Sequence, residues 1–95
     1  MVDDPIIAVA VRITGRVQGV WFRGWMCGEA QRMSLTGSVR NQPDGSVGAL
    51  VVGQGAAVAA MLALCHKGPP LARVDNVETK PVTPGPTYPD FRVVR

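Results

Sequence analysis

The chain has little of what metal centres, disulfide frameworks and membrane spans are built from. Its 95 residues include one histidine and two cysteines, Cys27 and Cys65. The cysteines are far apart and show neither CxxC nor Cys/His spacing, so both read as reduced, packed thiols and no metal is expected. The N-terminal MVDDP is acidic where a secretory signal would be basic, and Arg12 interrupts the apolar run that follows. No signal peptide or membrane span is supported, and the cytoplasm is the expected compartment. Charge of one sign never accumulates either. Ten basic residues spread over the whole length leave a net charge of +3, which favours anionic ligands mildly and specifies none. With 46% hydrophobic and 18% charged residues the composition is that of an ordinary globular protein. The length suits one domain, residues 1–95, with one core.

Hydrophobic periodicity sorts the chain into elements. IIAVAVRIT (6–14) sets Ile7, Val9, Val11 and Ile13 on one parity, which reads as a strand with one face toward the core. From Phe22 the period becomes helical, with Phe22, Met26, Ala30 and Met33 along one stripe. Gly24 and Gly28 lie inside this helix and cost about 1 kcal/mol each against Ala, so packing has to hold it. Leu35, Thr36 and Gly37 end it, and SVRN begins a second strand. Residues 41–46 are a cluster of turn formers whose Asp-Gly pair predicts a hairpin with VGALVV (47–52).

GQGA (53–56) breaks that strand and opens a second helix, in which Val58, Met61, Leu62 and Cys65 recur at i, i+3, i+4 and i+7. Gly68, Pro69 and Pro70 stop it. ARVDNVETK is a further strand, but Val74 and Val77 fall on opposite parities; either both faces are partly covered or a bulge separates them. A proline-rich loop, PVTPGPTYP (81–89), precedes a short terminal strand, FRVV.

This order predicts an α+β fold: a ferredoxin-like split βαβ sandwich with antiparallel sheet order 4-1-3-2, both helices on one face and a short extra C-terminal strand. The fold serves many unrelated functions and names none. RNA-recognition domains share the strand order, but they stack bases on aromatic residues of the central strands. IIAVAVRIT and SVGALVV contain no aromatic residue, and no nucleic-acid partner is expected.

The junction GRVQGVWFR (15–23) joins the first strand to the first helix, where helix amides lack partners and the dipole is positive. Gly15 and Gly19 let the backbone curl so that consecutive N–H groups converge as an anion nest. Arg23, just inside the helix, is a poor neighbour for the dipole's positive end unless an anion sits between them. The alternative is that the glycines make only a tight turn and Arg23 is a solvated surface residue. No Gly-Lys-Ser/Thr follows, so the loop is not a Walker A motif.

The same residues carry a resemblance. GRVQGVWFR resembles the signature loop of the acylphosphatase family, GSVRNQPDGSV (37–47) is similar to that family's second motif, and GPPLARV (68–74) to its third. The resemblance runs from about residue 8 to the C-terminus. It implies that the amides of Arg16, Val17, Gln18, Gly19 and Val20, with the guanidinium of Arg23, bind a phosphate, and that Asn41 holds the attacking water. It also implies hydrolysis of the carboxyl–phosphate bond of small acyl phosphates, without metal or organic cofactor. The chain is expected to act as a monomer and to have no membrane partner. Ser38 departs from the family pattern, since many relatives carry tryptophan there, and Gly24 and Gly28 replace better helix formers. These departures bear on packing and stability rather than on the phosphate site.

The chemistry fits what the chain lacks. Phosphoryl transfer passes through a loose transition state, which demands charge stabilisation and an in-line nucleophile. A carboxylate leaving group, whose acid has a pKa of about 4, departs without a proton. No general acid is needed. His66 suits the C-terminal end of the second helix rather than catalysis, and Asp44 is explained as a turn residue of Pro-Asp-Gly-Ser. Trp21 and Trp25, four apart, share a helical face away from the Phe22 stripe. They read either as partly buried against the sheet edge or a neighbouring loop, or as the border of a pocket mouth that contacts an acyl chain. Two other readings stand beside the enzyme: an acylphosphatase-like domain of the kind found inside larger maturation enzymes, and an idle structural domain.

Overall fold

The computed structural model describes residues 5–85 and 88–95; the acidic segment 1–4 and residues 86–87 of the proline-rich loop lie outside the described residues. The central strand β1 (Ile6–Arg16) buries Val9, Val11 and Ile13 on one face, with Ile7 packed at the edge of the same core. β3 (Val47–Gln54) pairs antiparallel with β1, bringing Val51 opposite Val9 and Val47 opposite Ile13. β2 (Thr36–Asn41) returns from β3 through the Asp44–Gly45 turn as the predicted hairpin. β4 (Arg73–Val82) covers the other edge of β1, and β5 (Phe91–Val93) lies outside β2.

The sheet order is thus β4-β1-β3-β2-β5. Its first four strands follow the expected 4-1-3-2 order, but the sheet is mixed rather than antiparallel, because β5 joins β2 in parallel. Helices α1 (Phe22–Arg32) and α2 (Gly55–Lys67) pack on one face of the sheet and close a single core with its inward side chains. Phe22, Met26 and Ala30 come from α1 and Val58, Met61 and Cys65 from α2, the stripes read from the spacing. Each large side chain taken fully out of water in this way contributes roughly 1.5–3 kcal/mol, so this shared seam holds the glycine-containing α1 in place.

Several boundaries differ from the sequence expectation, each for a local reason. α1 stops at Arg32, and Thr36 and Gly37 already belong to β2. Ser34 takes the left-handed conformation, φ +58, that a glycine usually supplies at a helix end. The Ser34 amide donates to the Gln31 carbonyl and the Leu35 amide to the Ala30 carbonyl, a Schellman closure with Leu35 and Ala30 both buried. β3 runs on through Gln54, so no loop separates it from α2. Between β1 and β4 the register shifts: Thr14 faces Asn76 whereas Gly15 faces Val74, leaving Asp75 as the extra residue of a bulge. That bulge lets both Val74 and Val77 pack against the core despite their opposite parities. α2 ends at Lys67, where the Gly68 amide closes onto the Leu64 carbonyl.

Candidate active site

The strand-to-helix junction is built from a backbone that leaves its amides unused. β1 continues through Gly15 and Arg16, two residues beyond the expected end. Gly15 has φ +124, and a Cβ there would lie 2.8 Å from the Asp75 amide nitrogen and closer still to the Arg73 carbonyl oxygen. Only glycine fits this approach of β1 to the β4 bulge. Beyond it the side chains of Val17 and Val20 turn into the core, which pins the loop while exposing its backbone. Gly19 turns the chain at φ +73. Among the described residues, the N–H groups of Val17, Gln18, Gly19 and Val20 donate to no backbone carbonyl.

The helix that follows begins without the usual compensation. Its N-cap, Trp21, is left-handed at φ +66 and makes no side-chain capping bond, and no acidic residue lies in the first turn. The first-turn amides therefore have no intrahelical partners and the dipole's positive end has no counter-charge. Arg23 adds a further positive group at the second helical position and makes no ion pair with any described residue. The local arrangement is cationic throughout.

Across from it, Asn41 closes β2. Its Oδ1 is buried and has no hydrogen-bond partner among the described residues, an uncommon condition for a polar atom out of water. Gly19, Arg23 and Asn41 line one cavity of about 500 Å³, with Trp21 and Gly24 at its α1 side and Val93 from β5 opposite.

Not every residue anticipated at the site has a side chain there. Arg16 is the last residue of β1, opposite Arg73, and its side chain is exposed outside the cavity wall. The Gln18 side chain points away to the β2–β3 turn, where its Nε2 donates to the carbonyls of Gln42 (2.8 Å) and Ser46 (2.9 Å). Val20 is a core residue. These three could serve a ligand in the cavity only through their backbone.

His66 is exposed in the last turn of α2, outside the cavity wall. Asp44 is a turn residue, as read: its Oδ1 accepts from the Ser46 amide (2.9 Å) and hydroxyl (2.6 Å), and its Oδ2 from Arg12 (2.7 Å). Those bonds, the Ser46 hydroxyl first and Arg12 next, hold its carboxyl well below the usual carboxylate range. Trp21 does not share a helical face with Trp25. It precedes α1 and is 70% exposed, whereas Trp25 packs edge-on against Phe22 at 5.3 Å between ring centres.

Sequence reasoning missed Val93 and Arg95, which also line the cavity. The only signal for Val93 was the short strand FRVV, with Arg95 just beyond it, and nothing in a three-residue strand says which edge it joins. Among the described residues no cluster of three or more His, Cys, Asp or Glu side chains could hold a metal ion, and no helix is long and apolar enough to cross a membrane.

Comparison with known proteins bears on this geometry. Residues 9–93 match the family described as Acylphosphatase. The chain is 53% identical over 81 residues to an acylphosphatase of Rhodospirillum rubrum, covering 85% of this chain and 88% of that one. It is 49% identical over 91 residues to an acylphosphatase of Rhizobium etli, covering 96% and 97%. Its backbone superposes on the structure of an acylphosphatase from Coxiella burnetii with a TM-score of 0.89 at 32% identity, covering 94% and 93%.

Proposed function

Since the chain belongs to the acylphosphatase family and hydrolyses acyl phosphates, we propose that its phosphate site is the loop from Arg16 through Val20 together with Arg23. In this reading Asn41 positions the attacking water. The observation that carries it is that one cavity is lined by Gly19, Arg23 and Asn41.

Each part has a physical role. The unused amides of residues 17–20 and the uncapped start of α1 offer N–H groups to the phosphoryl oxygens, and the guanidinium adds a two-pronged donor of full charge. These groups are fixed before the reaction, so they stabilise the charge of a loose transition state without reorganising. The unpartnered Oδ1 of Asn41 is an acceptor for a water proton, which orients an oxygen lone pair toward phosphorus. The carboxylate departs unprotonated. The water's proton passes late, to the substrate's own phosphate, so no side-chain base is assigned and no metal is invoked. We assign this activity to residues 1–95 as one monomeric domain in the cytoplasm, a compartment in keeping with two free thiols.

The test is hydrolysis of benzoyl phosphate in EDTA, corrected for spontaneous decay, for the wild-type chain and Arg23→Ala. Metal-independent turnover in the wild type, and loss of both turnover and inhibition by inorganic phosphate in the variant, are expected. Wild-type phosphate inhibition in a folded Arg23→Ala would remove the loop from the mechanism.

A further inference from the structure

Trp21 breaks two local rules. It is a bulky residue at φ +66, a left-handed conformation that side chains other than glycine and asparagine rarely adopt. The residue is also 70% exposed, so burial does not explain why a large aromatic is held there. Strained backbone at the lip of a cavity is an observation from which a role can be argued.

Gly24 breaks a third rule, since glycine weakens a helix interior. The structure accounts for it. A Cβ on Gly24 would lie 2.8 Å from Trp21 Cδ1 and closer still to Nε1, so the bare backbone at 24 is the seat of the indole. A Cβ on Gly28, one turn further on, would have nothing within 4 Å, and Gly28 seats nothing. Trp21 and Gly24 both line the cavity that contains Gly19, Arg23 and Asn41. A phosphate group fills only a fraction of its volume of about 500 Å³. Trp25, in contrast, is committed to Phe22 and is not part of the cavity wall.

We propose that Trp21, seated on Gly24, is a specificity-determining residue for the acyl group: it favours acyl phosphates whose acyl part offers a flat apolar surface over those with a small one. The inference rests on the phosphate site assigned above, which fixes one end of the substrate and leaves the acyl group to the rest of the cavity. An indole face stacks on an aromatic or extended apolar group and gains little from a methyl. Such contact is much the same in ground and transition states, so it acts on KM more than on kcat.

The experiment measures kcat and KM for benzoyl phosphate and acetyl phosphate, with inhibition by inorganic phosphate, in the wild type, Trp21→Gly and Gly24→Ala. Glycine at 21 keeps the left-handed backbone available while removing the indole. Trp21→Gly is expected to raise KM for benzoyl phosphate about tenfold, the scale of one aromatic contact, and to lower the benzoyl-to-acetyl ratio of kcat/KM about as much. Phosphate inhibition should hold. Gly24→Ala should move the ratio in the same direction, because its Cβ displaces the indole, while circular dichroism shows a folded chain. An unchanged ratio in both variants overturns the proposal, as does an equal fall for both substrates with loss of phosphate inhibition, which would make Trp21 a brace of the loop. Failure of the phosphate site itself is read separately, from wild-type phosphate inhibition in Arg23→Ala.

Discussion

The side-chain amide of Gln18 donates to the main-chain carbonyl of Gln42 at 2.8 Å. A second donation from the same nitrogen reaches the Ser46 carbonyl at 2.9 Å. Gln42 follows Asn41 directly, and its own amide donates across the turn to Ser46. One side chain therefore fastens the loop assigned to phosphate onto the turn next to the residue assigned to water. The two halves of the site come from opposite ends of the β1–α1–β2 crossover, and Gln18 ties them together.

Gln18→Ala should slacken that link. It leaves two carbonyls of a part-buried turn without this donor, at a cost of about 1–3 kcal/mol, readable by urea unfolding. Steady-state kinetics on benzoyl phosphate should show kcat/KM reduced by at least roughly tenfold, because misplacement of a catalytic group by a fraction of an ångström is costly. Unchanged kinetics in a destabilised variant would make Gln18 a structural residue only.

Asn41→Ala separates function from stability. Loss of a water-positioning group should lower kcat by about 100-fold with inhibition by inorganic phosphate nearly intact. The residue holds a buried acceptor with no partner among the described residues, so truncation removes an unpaired polar atom. The thermal midpoint should hold or rise. If phosphate inhibition disappeared first, Asn41 would be a phosphate ligand instead.

The parts of this fold that were legible in the sequence are those written as repeats. The alternation of Val9, Val11 and Ile13 and the helical stripe of Val58, Met61 and Cys65 each announce a buried face directly. Asp44-Gly45 announces the hairpin. What escaped depends on contacts between distant residues or on exceptions to local rules. Ser34 ends α1 in a conformation usually given to glycine, which is why residue spacing alone extends the helix too far. The parallel pairing of β5 with β2 is a long-range choice made by three residues, and with it came Val93 at the cavity. Of the anticipated site residues, Val17, Gly19, Arg23 and Asn41 meet at one cavity. The Gln18 brace was not visible, because its partners are backbone carbonyls, which sequence pattern does not mark.

Gly15 and Gly28 should answer the same substitution with opposite signs. Gly15→Ala forces a Cβ into backbone atoms of Arg73 and Asp75 at φ +124, so a destabilisation of at least about 1–3 kcal/mol is expected, with loosening of the loop that follows. Gly28→Ala meets open space in a helix, where alanine gains about 1 kcal/mol. Thermal unfolding of the two variants checks the pair. A stable Gly15→Ala would mean that the bulge does not need its glycine.

The two thiols should differ in native-state reactivity. Cys65 is buried in the core and burial alone pushes its thiol up to about 12 from 9.0. Cys27 is half-buried and donates to the Phe91 carbonyl at 3.3 Å; burial first, and Asp90 next, raise its thiol as well. The thiolate is the nucleophile, so iodoacetamide at neutral pH should modify Cys27 slowly and Cys65 only on unfolding, as read by mass spectrometry. A raised folded value means that the native state keeps a proton the unfolded chain releases. Stability should therefore fall as pH rises from about 9 toward 12. Rapid labelling of Cys65 in folded protein would show that α2 opens locally.

Asp44 should couple pH to the same turn that Gln18 grips. Ser46 and Arg12 hold its carboxyl below its ordinary 3.8, so the folded state binds fewer protons than the unfolded chain in acid. Its contribution is complete above that ordinary value and is lost as the pH falls below it toward the folded one. Asp44 and Arg12 are both about half exposed, so solvent screens their attraction and the effect is modest. Asp44→Asn removes the titration and weakens the Arg12 contact, so the variant should start with a lower thermal midpoint at neutral pH and then lose less than the wild type between about pH 4 and pH 2. Protonation also weakens the grip on Ser46, whose carbonyl receives Gln18. Inhibition by inorganic phosphate should consequently weaken in acid further in the wild type than substrate and phosphate ionisation require, and Asp44→Asn should lack that extra loss. Parallel acid limbs in the two proteins would confine Asp44 to the surface and detach the turn from the site.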